Sequence, residues 1–203
     1  MGLKYEKWEG TGNDFVLVDG RQEGDLPSDW DHAEIARICD RENGVGADGV
    51  LVVKPGEPNV LHVDFRNPDG SRSFCGNGTR SALAWAQAQG AVDATHREVH
   101  IQAVDGDHKG RIRPDGCPGI SMIVAATPLA CAPHLEGAKR ADFVDTGSPH
   151  HVEWLDAAKE VMALQLPQAV RQIRHHERYA PEGCNVNVAA RGVKKGHVHI
   201  RTF

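Results

Sequence analysis

Between Thr79 and Gln89 the chain reads TRSALAWAQAQ, a run of strong helix formers followed by Gly90 where a helix is expected to end on a left-handed residue. Its apolar residues, Ala82, Leu83, Ala84, Trp85, Ala86 and Ala88, do not line up as a stripe but cover nearly the whole circumference. Such a helix has no side to give to water. It is predicted to lie buried at the centre of its domain, wrapped by sheet on several sides, and the rest of the chain must supply the strands.

The strands are legible as short apolar runs between turn signals. Phe15 to Asp19, Val50 to Val53 and Val60 to Phe65 are read as strands, with a short amphipathic helix over His32 to Arg41 and a turn-rich Pro55 to Asn59. Asn67-Pro68-Asp69-Gly70 forms a further turn before Cys75. Strands resume at Glu98 to Val104, Gly110 to Arg113 and Ile120 to Ala125, after which Ala126 to Pro133 has the composition of a linker. Beyond it, strands are expected near Asp142 to Asp145, His151 to Leu155, Asn185 to Ala190 and His197 to Thr202, and a helix near Gln168 to His175.

A weak internal repeat crosses the linker. Thr11-Gly12-Asn13 precedes the first strand and Thr146-Gly147-Ser148 precedes another, an offset of 135, while Leu61-His62-Val63-Asp64 is echoed by Val198-His199-Ile200-Arg201 at an offset of 137. The pattern implies an α/β (α+β) protein of two similar domains, 1–126 and 127–203, each a curved sheet around a helix. In the first domain the cysteine loop and central helix follow the strand at 61 to 65; the second reads as incomplete, because its matching strand reaches Phe203.

The bulk properties narrow the function. The net charge is −5 and the sequence pI near 6.2, with Lys and Arg scattered, so nucleic acid is not an expected partner. Nowhere do 18 apolar residues follow one another and the first residues have no signal-peptide run, so no membrane association and a cytoplasmic location are expected. Five cysteines, at 39, 75, 117, 131 and 184, contain no CxxC and read as free thiols. Twelve histidines include the pairs His150-His151 and His175-His176, but without a metal-binding spacing, and no metal site is expected.

The chemistry concentrates at Phe74-Cys75-Gly76-Asn77-Gly78-Thr79-Arg80, a cysteine in a glycine loop that opens into the central helix. Free N–H groups and the positive helix end favour a thiolate, which predicts a cysteine acidity shifted toward neutrality and a role as nucleophile or base. The same N–H groups are suited to a substrate anion. Polar loops at Gly10 to Asp14, Asn67, Gly76 to Gly78 and Pro181 to Asn187 add carboxamides that both donate and accept, as a zwitterion requires; the alternative for each Asn is a turn residue bonded to its own backbone.

The segments EGTGNDFVLVDGR, ENGVGADGVLVV, FRNPDGSRSFCGNGTRSALAWA, VDTGSPHHVEW and APEGCNVNVA resemble, in order, the successive signatures of the diaminopimelate epimerases, over about residues 4 to 203. The resemblance implies an isomerase of lysine and peptidoglycan precursor biosynthesis, a cytoplasmic homodimer that inverts one α-carbon of LL-diaminopimelate to the meso form. No cofactor is implied; one cysteine thiolate removes the α-proton and a second cysteine thiol delivers a proton to the opposite face. Cys75 matches the proton-transferring cysteine of the first domain, Asn13, Asn67, Gly76, Asn77 and Asn185 match substrate-binding positions, and His150 matches a histidine that tunes the cysteines. A related amino-acid racemase of the proline racemase kind, and a non-catalytic small-molecule-binding remnant, are the alternatives.

Three departures from that pattern matter. Ser148 stands where many relatives carry Asn, and Gly49 where some carry Gln, so a hydrogen bond is expected to be lost or passed to water or backbone at each. Family members continue past the strand matching His197 to Phe203 into a Glu-Arg pair and an ACGTG loop with the second cysteine, which this sequence lacks together with the helix expected to follow. The expectation is therefore a fragment with impaired inversion. Cys184 falls at the wrong place in the pattern to substitute, Cys39 reads as a core residue, and Cys117 and Cys131 lie in Pro-rich turns.

Overall fold

The computed structural model describes residues 3–21, 31–123, 127–164, 167–181 and 183–203. The chain divides into two compact units, Met1–Met122 and Ile123–Phe203.

The first unit is one seven-stranded sheet whose spatial order follows the chain: β1 (Glu6–Gly10), β2 (Asn13–Asp19), β3 (Gly49–Pro55), β4 (Val60–Arg66), β5 (Val99–Ala103), β6 (Gly106–Ile112) and β7 (Pro118–Ile120). Helix α1 (His32–Cys39) crosses between the parallel strands β2 and β3, and α2 (Gly76–Ala88) between the parallel strands β4 and β5. The unbroken apolar runs of β2 and β3 follow from burial on both faces. Phe15, Leu17, Leu51 and Val53 pack in the core that holds α2, whereas Val16, Val18 and Val50 pack under Ile35, Ile38 and Cys39 of α1.

Helix α2 lies against strands at both ends of the sheet, β1 to β4 on one side and β6 and β7 on the other, so the sheet curls around it. Ala82, Leu83, Trp85 and Ala86 are at most 1% exposed, whereas Ala84 is half-buried and Ala88 exposed, so the enclosure expected from the sequence leaves one side of the helix partly open. Gly110 on β6 makes room for this packing, since a Cβ there would stand 2.6 Å from Ile101 Cδ1 and 2.9 Å from Leu83 Cδ2. The helix ends in a Schellman motif, with Ala91 N–H donating to Ala86 O and Gly90 N–H to Gln87 O and Gly90 at φ +64°.

The second unit is a five-stranded sheet in the order β12-β11-β10-β9-β8, built from β8 (Leu129–Cys131), β9 (Arg140–Asp145), β10 (Pro149–Leu155), β11 (Asn185–Arg191) and β12 (Val198–Thr202). Helices α3 (Ala158–Ala163) and α4 (Pro167–Arg174) link the parallel strands β10 and β11 and cover Leu155, Val186, Val188 and Ala190. The repeat is structural: β1 to β4 and β9 to β12 show the same succession of antiparallel, parallel and antiparallel pairings. Parallel pairing opens with Phe15 opposite Gly49 in one unit and His150 opposite Asn185 in the other. Asn13 and Ser148 thus hold equivalent positions, as do Gly49 and Asn185.

Several elements differ from the sequence reading, α3 among them, for which no helix was expected. The stretch read as linker contains β8, whose pairing with β9 organises a segment that composition marks as irregular. The strand read over Ile120 to Ala125 ends at Ile120, and 124–126 lie outside the described residues. The polar EKWEG becomes edge strand β1 because Trp8 packs inward against the α2 core and Glu6 accepts from the indole N–H of Trp85 at 3.0 Å.

Truncating Leu83 to Ala is expected to cost about 2–5 kcal/mol, since the enclosed helix leaves the cavity little way to collapse. Denaturant titration checks it; a loss below about 1 kcal/mol would mean that α2 is not held as described.

Candidate active site

Cys75 is the N-cap residue of α2, extended at φ −127° and ψ 104°. Its carbonyl accepts from Thr79 N–H at 2.8 Å, and Gly78 N–H points at Sγ from 3.4 Å. The loop before it is anchored by Phe74, buried and stacked on the His108 ring at 4.4 Å. Both His108 nitrogens are engaged, Nδ1 with Ser121 O at 2.9 Å and Nε2 with Asp105 Oδ1 at 3.0 Å.

The helix end alone predicts a more acidic thiol, and the structure reverses the sign. Burial pushes the Cys75 thiol up from its ordinary value, outweighing the opposing pull of the Gly78 and Asn77 N–H groups and of the Arg80 guanidinium. The site as it stands holds a neutral thiol, a proton donor. Burial likewise raises Cys39, Cys131 and Cys184.

Asn13 and Asn77, 64 residues apart, meet side chain to side chain, Asn77 Nδ2 donating to Asn13 Oδ1 at 2.7 Å. The TGN sequence explains how. Thr11 and Gly12 both have positive φ and join β1 to β2 as a two-residue hairpin loop, closed by the pairing of Gly10 with Asn13. Gly10 permits close approach to α2, because a Cβ there would lie 2.6 Å from Ser81 Oγ and 3.0 Å from Asn77 O. Two residues outside the sequence-derived set complete the arrangement. Arg80 donates to Asn77 Oδ1 at 2.5 Å and to Thr11 Oγ1 at 2.7 Å. Asp48 accepts from Asn13 Nδ2 at 3.0 Å and from Asp14 N–H at 3.1 Å. Arg41 bridges Asp48 and Asp14 at 2.7 Å each, and the Arg41 and Lys7 cations hold the Asp14 carboxyl well below the usual carboxylate range.

The remaining candidates of the first unit fare differently. Gly76 is the first residue of α2, beside Cys75 and Asn77. Asn67 Nδ2 is spent on its own loop, donating to Ser71 O, Ser71 Oγ and Ser73 Oγ at 3.0–3.2 Å, which is the turn role that sequence alone left open. At Gly49 a Cβ would lie 2.3 Å from Phe65 Cε2 and 2.6 Å from Arg66 O. The missing side chain there is a packing requirement, not the loss of a hydrogen bond.

In the second unit His150, Ser148 and Asn187 form a group of their own. Asn187, absent from the sequence-derived set, is 4% exposed and donates through Nδ2 to His150 Nδ1 at 3.0 Å, while Thr202 Oγ1 donates to its Oδ1 at 2.8 Å. Because Asn187 Nδ2 also donates to the acceptor-only His151 O at 3.3 Å, which fixes the amide, His150 Nδ1 is the acceptor and its proton sits on Nε2, 3.3 Å from Ser148 Oγ. Burial pushes the His150 pKa down from its ordinary value and so favours the neutral ring. Asn185 lies opposite His150 and donates to Pro149 O at 3.4 Å. The neighbouring His151 faces the other way, fully buried between Tyr179 Oη at 2.6 Å and Glu153 Oε1 at 2.8 Å. Among the described residues no cluster of three or more metal-ligating side chains occurs.

Comparison with known proteins places this geometry. The sequence profile of the diaminopimelate epimerases matches residues 5–127. The diaminopimelate epimerase of Hydrogenobaculum sp. (strain Y04AAS1) is 30% identical across 97% of this chain and 73% of its own length, and that of Aquifex aeolicus (strain VF5) is 30% identical across 99% and 73%. Among solved structures, a phenazine biosynthesis protein of the PhzF family from Bacillus anthracis superposes with a TM-score of 0.69 at 16% identity, over 98% of this chain and 70% of that one. A hydroxyproline epimerase from Agrobacterium vitis superposes with a TM-score of 0.62 at 13% identity, over 98% and 69%. These two likenesses are of fold: a mixed α/β architecture with a curled sheet around a helix and a second sheet.

Two outcomes are expected. Alkylation of Cys75 by iodoacetamide should follow a pH profile with its midpoint above that of free cysteine measured alongside, because the shift is upward and the reactive thiolate forms only beyond it; a midpoint below that of free cysteine would contradict burial as the dominant influence. Gly49→Ala should lower stability by about 1–3 kcal/mol in a thermal melt, with Phe65 forced aside, and an unchanged melting temperature would refute the packing role.

Proposed function

The chain belongs to the diaminopimelate epimerase family, and on that premise we propose that it works in the inversion of one α-carbon of LL-diaminopimelate to the meso form, with Cys75 as the acid/base on one face of that carbon. The observation that carries the proposal is the meeting of a half-buried thiol and a pair of carboxamides at the first turn of α2.

Removing an α-proton leaves negative charge on the carbon and its carboxylate, and the charge needs fixed donors. The first N–H groups of a helix have no intrahelical acceptor, and with the Asn77 and Gly78 N–H groups turned to the Cys75 sulfur, Gly76 N–H is available for a carboxylate placed over α2. The proton balance is simple. In one direction a base takes the α-proton from the far face while the Cys75 thiol gives its proton to the near face and is left as thiolate; in the other direction the Cys75 thiolate takes the proton. The resting thiol favoured by burial suits the donor direction. The second acid/base, the remaining site assignments at Asn13, Asn67, Gly76, Asn77, Asn185, Ser148 and His150, the two-domain division, the homodimer and the cytoplasmic location belong to the same proposal.

The test is incubation of LL-diaminopimelate with the protein in D2O, following α-deuterium incorporation and meso-isomer formation together. Cys75→Ala is expected to lower meso-isomer formation about 10³-fold, the usual weight of a positioned acid/base, while α-deuterium exchange by the far-face base falls less. Retention of meso-isomer formation within tenfold, or turnover of free proline in preference to diaminopimelate, would overturn the proposal.

A further inference from the structure

The contacts around Asn13 and Asn77 fix which end of each carboxamide faces the site. An arginine can only donate and a carboxylate can only accept. Arg80 therefore holds the oxygen of Asn77, and Asp48 holds the nitrogen of Asn13. The contact between the two amides then has one consistent polarity, Asn77 nitrogen to Asn13 oxygen, as observed at 2.7 Å. Rotating either amide by half a turn would set an NH2 against the guanidinium or a carbonyl against the carboxylate. Charge at both ends of the chain Arg80, Asn77, Asn13, Asp48 makes it directional, with every hydrogen bond pointing from the guanidinium toward the carboxylate.

This direction has a chemical consequence. Each amide oxygen is turned into the network, toward Arg80 or toward Asn77, while each amide nitrogen spends one N–H on the chain and keeps a second with no acceptor among the described residues. Asn13 and Asn77 are half-buried, so these N–H groups remain open to an acceptor brought by solvent or by a ligand. We infer that Arg80 and Asp48 are positioning residues that lock the Asn13–Asn77 pair into a donor face, a cradle for a carboxylate and not for an ammonium group. Arg41 extends the lock, fixing Asp48 through the Asp14–Asp48 bridge. The inference rests on the reading that substrate sits over the first turn of α2.

The side-chain amide resonances of Asn13 and Asn77 report the orientation directly, and two probes divide the charges of diaminopimelate between them: pimelate carries only its carboxylates and 1,5-diaminopentane only its ammonium groups. Titration of the full chain with pimelate is expected to move both amide resonances, and 1,5-diaminopentane to leave them in place. Asp48→Asn and Arg80→Met are each expected to weaken pimelate binding about tenfold, the scale of one misdirected charge-assisted hydrogen bond. Arg80→Lys, which keeps a donor toward Asn77, should recover part of the loss. With diaminopimelate as substrate the two disabling variants should raise KM about tenfold and change kcat less than threefold, a split that general loss of folded protein would not produce.

Unchanged pimelate affinity in both variants, or a response to 1,5-diaminopentane alone, would overturn the inference. If one variant fails to fold, the other and the two probes on the unaltered chain still decide it. Absence of diaminopimelate turnover in the unaltered chain would count against the proposed reaction, while the amide resonances and pimelate titrations would continue to test the donor face.

Discussion

The enclosure of α2 is the constraint from which the first unit is built. An isolated helix of 13 residues is marginal in water, and most of this one's surface is apolar. It persists because the sheet closes around it, burying Leu83, Trp85, Ala82 and Ala86 and leaving the side of Arg80, Ala84, Gln87 and Ala88 partly open. Burial fixes the helix axis, and a fixed axis fixes what lies at its end. The first turn presents Cys75, Gly76 and Asn77 in one orientation, and the β1–β2 hairpin comes down on it through Gly10.

The same burial sets the electrostatics in opposition. A helix N-terminus draws negative charge, and a packed environment resists it. At Cys75 the second influence wins in the absence of any ligand. A site that holds a protonated thiol at rest and offers N–H groups to a developing anion is matched to a reaction in which charge appears only transiently. The carboxamides beside it carry no net charge of their own, yet their direction is imposed by Arg80 and Asp48 at the ends of the chain.

Much of this was visible in the residues. The circumference of α2, its Gly90 terminus and the doubly buried runs of β2 and β3 are local patterns that translate into structure without long-range information. The repeat was visible too, since Thr-Gly-Asn and Thr-Gly-Ser mark equivalent hairpins. Edge strands β1 and β8 were not, because their partner strands and not their own composition make them strands. Of the site, the cysteine and Asn77 stood out by position, but Asp48 and Asn187 act through partners 35 and 37 residues away and Arg80 reaches Thr11 69 residues away, relations that no spacing rule encodes. Asn67 illustrates the converse, a residue in a suggestive motif whose amide nitrogen serves its own turn.

Phe74 and His108 give the loop before Cys75 a footing inside the core, with the imidazole tied at both nitrogens and the phenyl ring lying flat upon it. A thiol so mounted is poorly placed to chase its substrate. Proton transfer asks little of it, since the hydrogen crosses a short gap while the heavy atoms scarcely shift. On the proposed reaction, stiffness that would handicap an enzyme obliged to reshape its substrate becomes stereochemical memory: the scaffold would decide the face from which the hydrogen comes or goes before the ligand arrives.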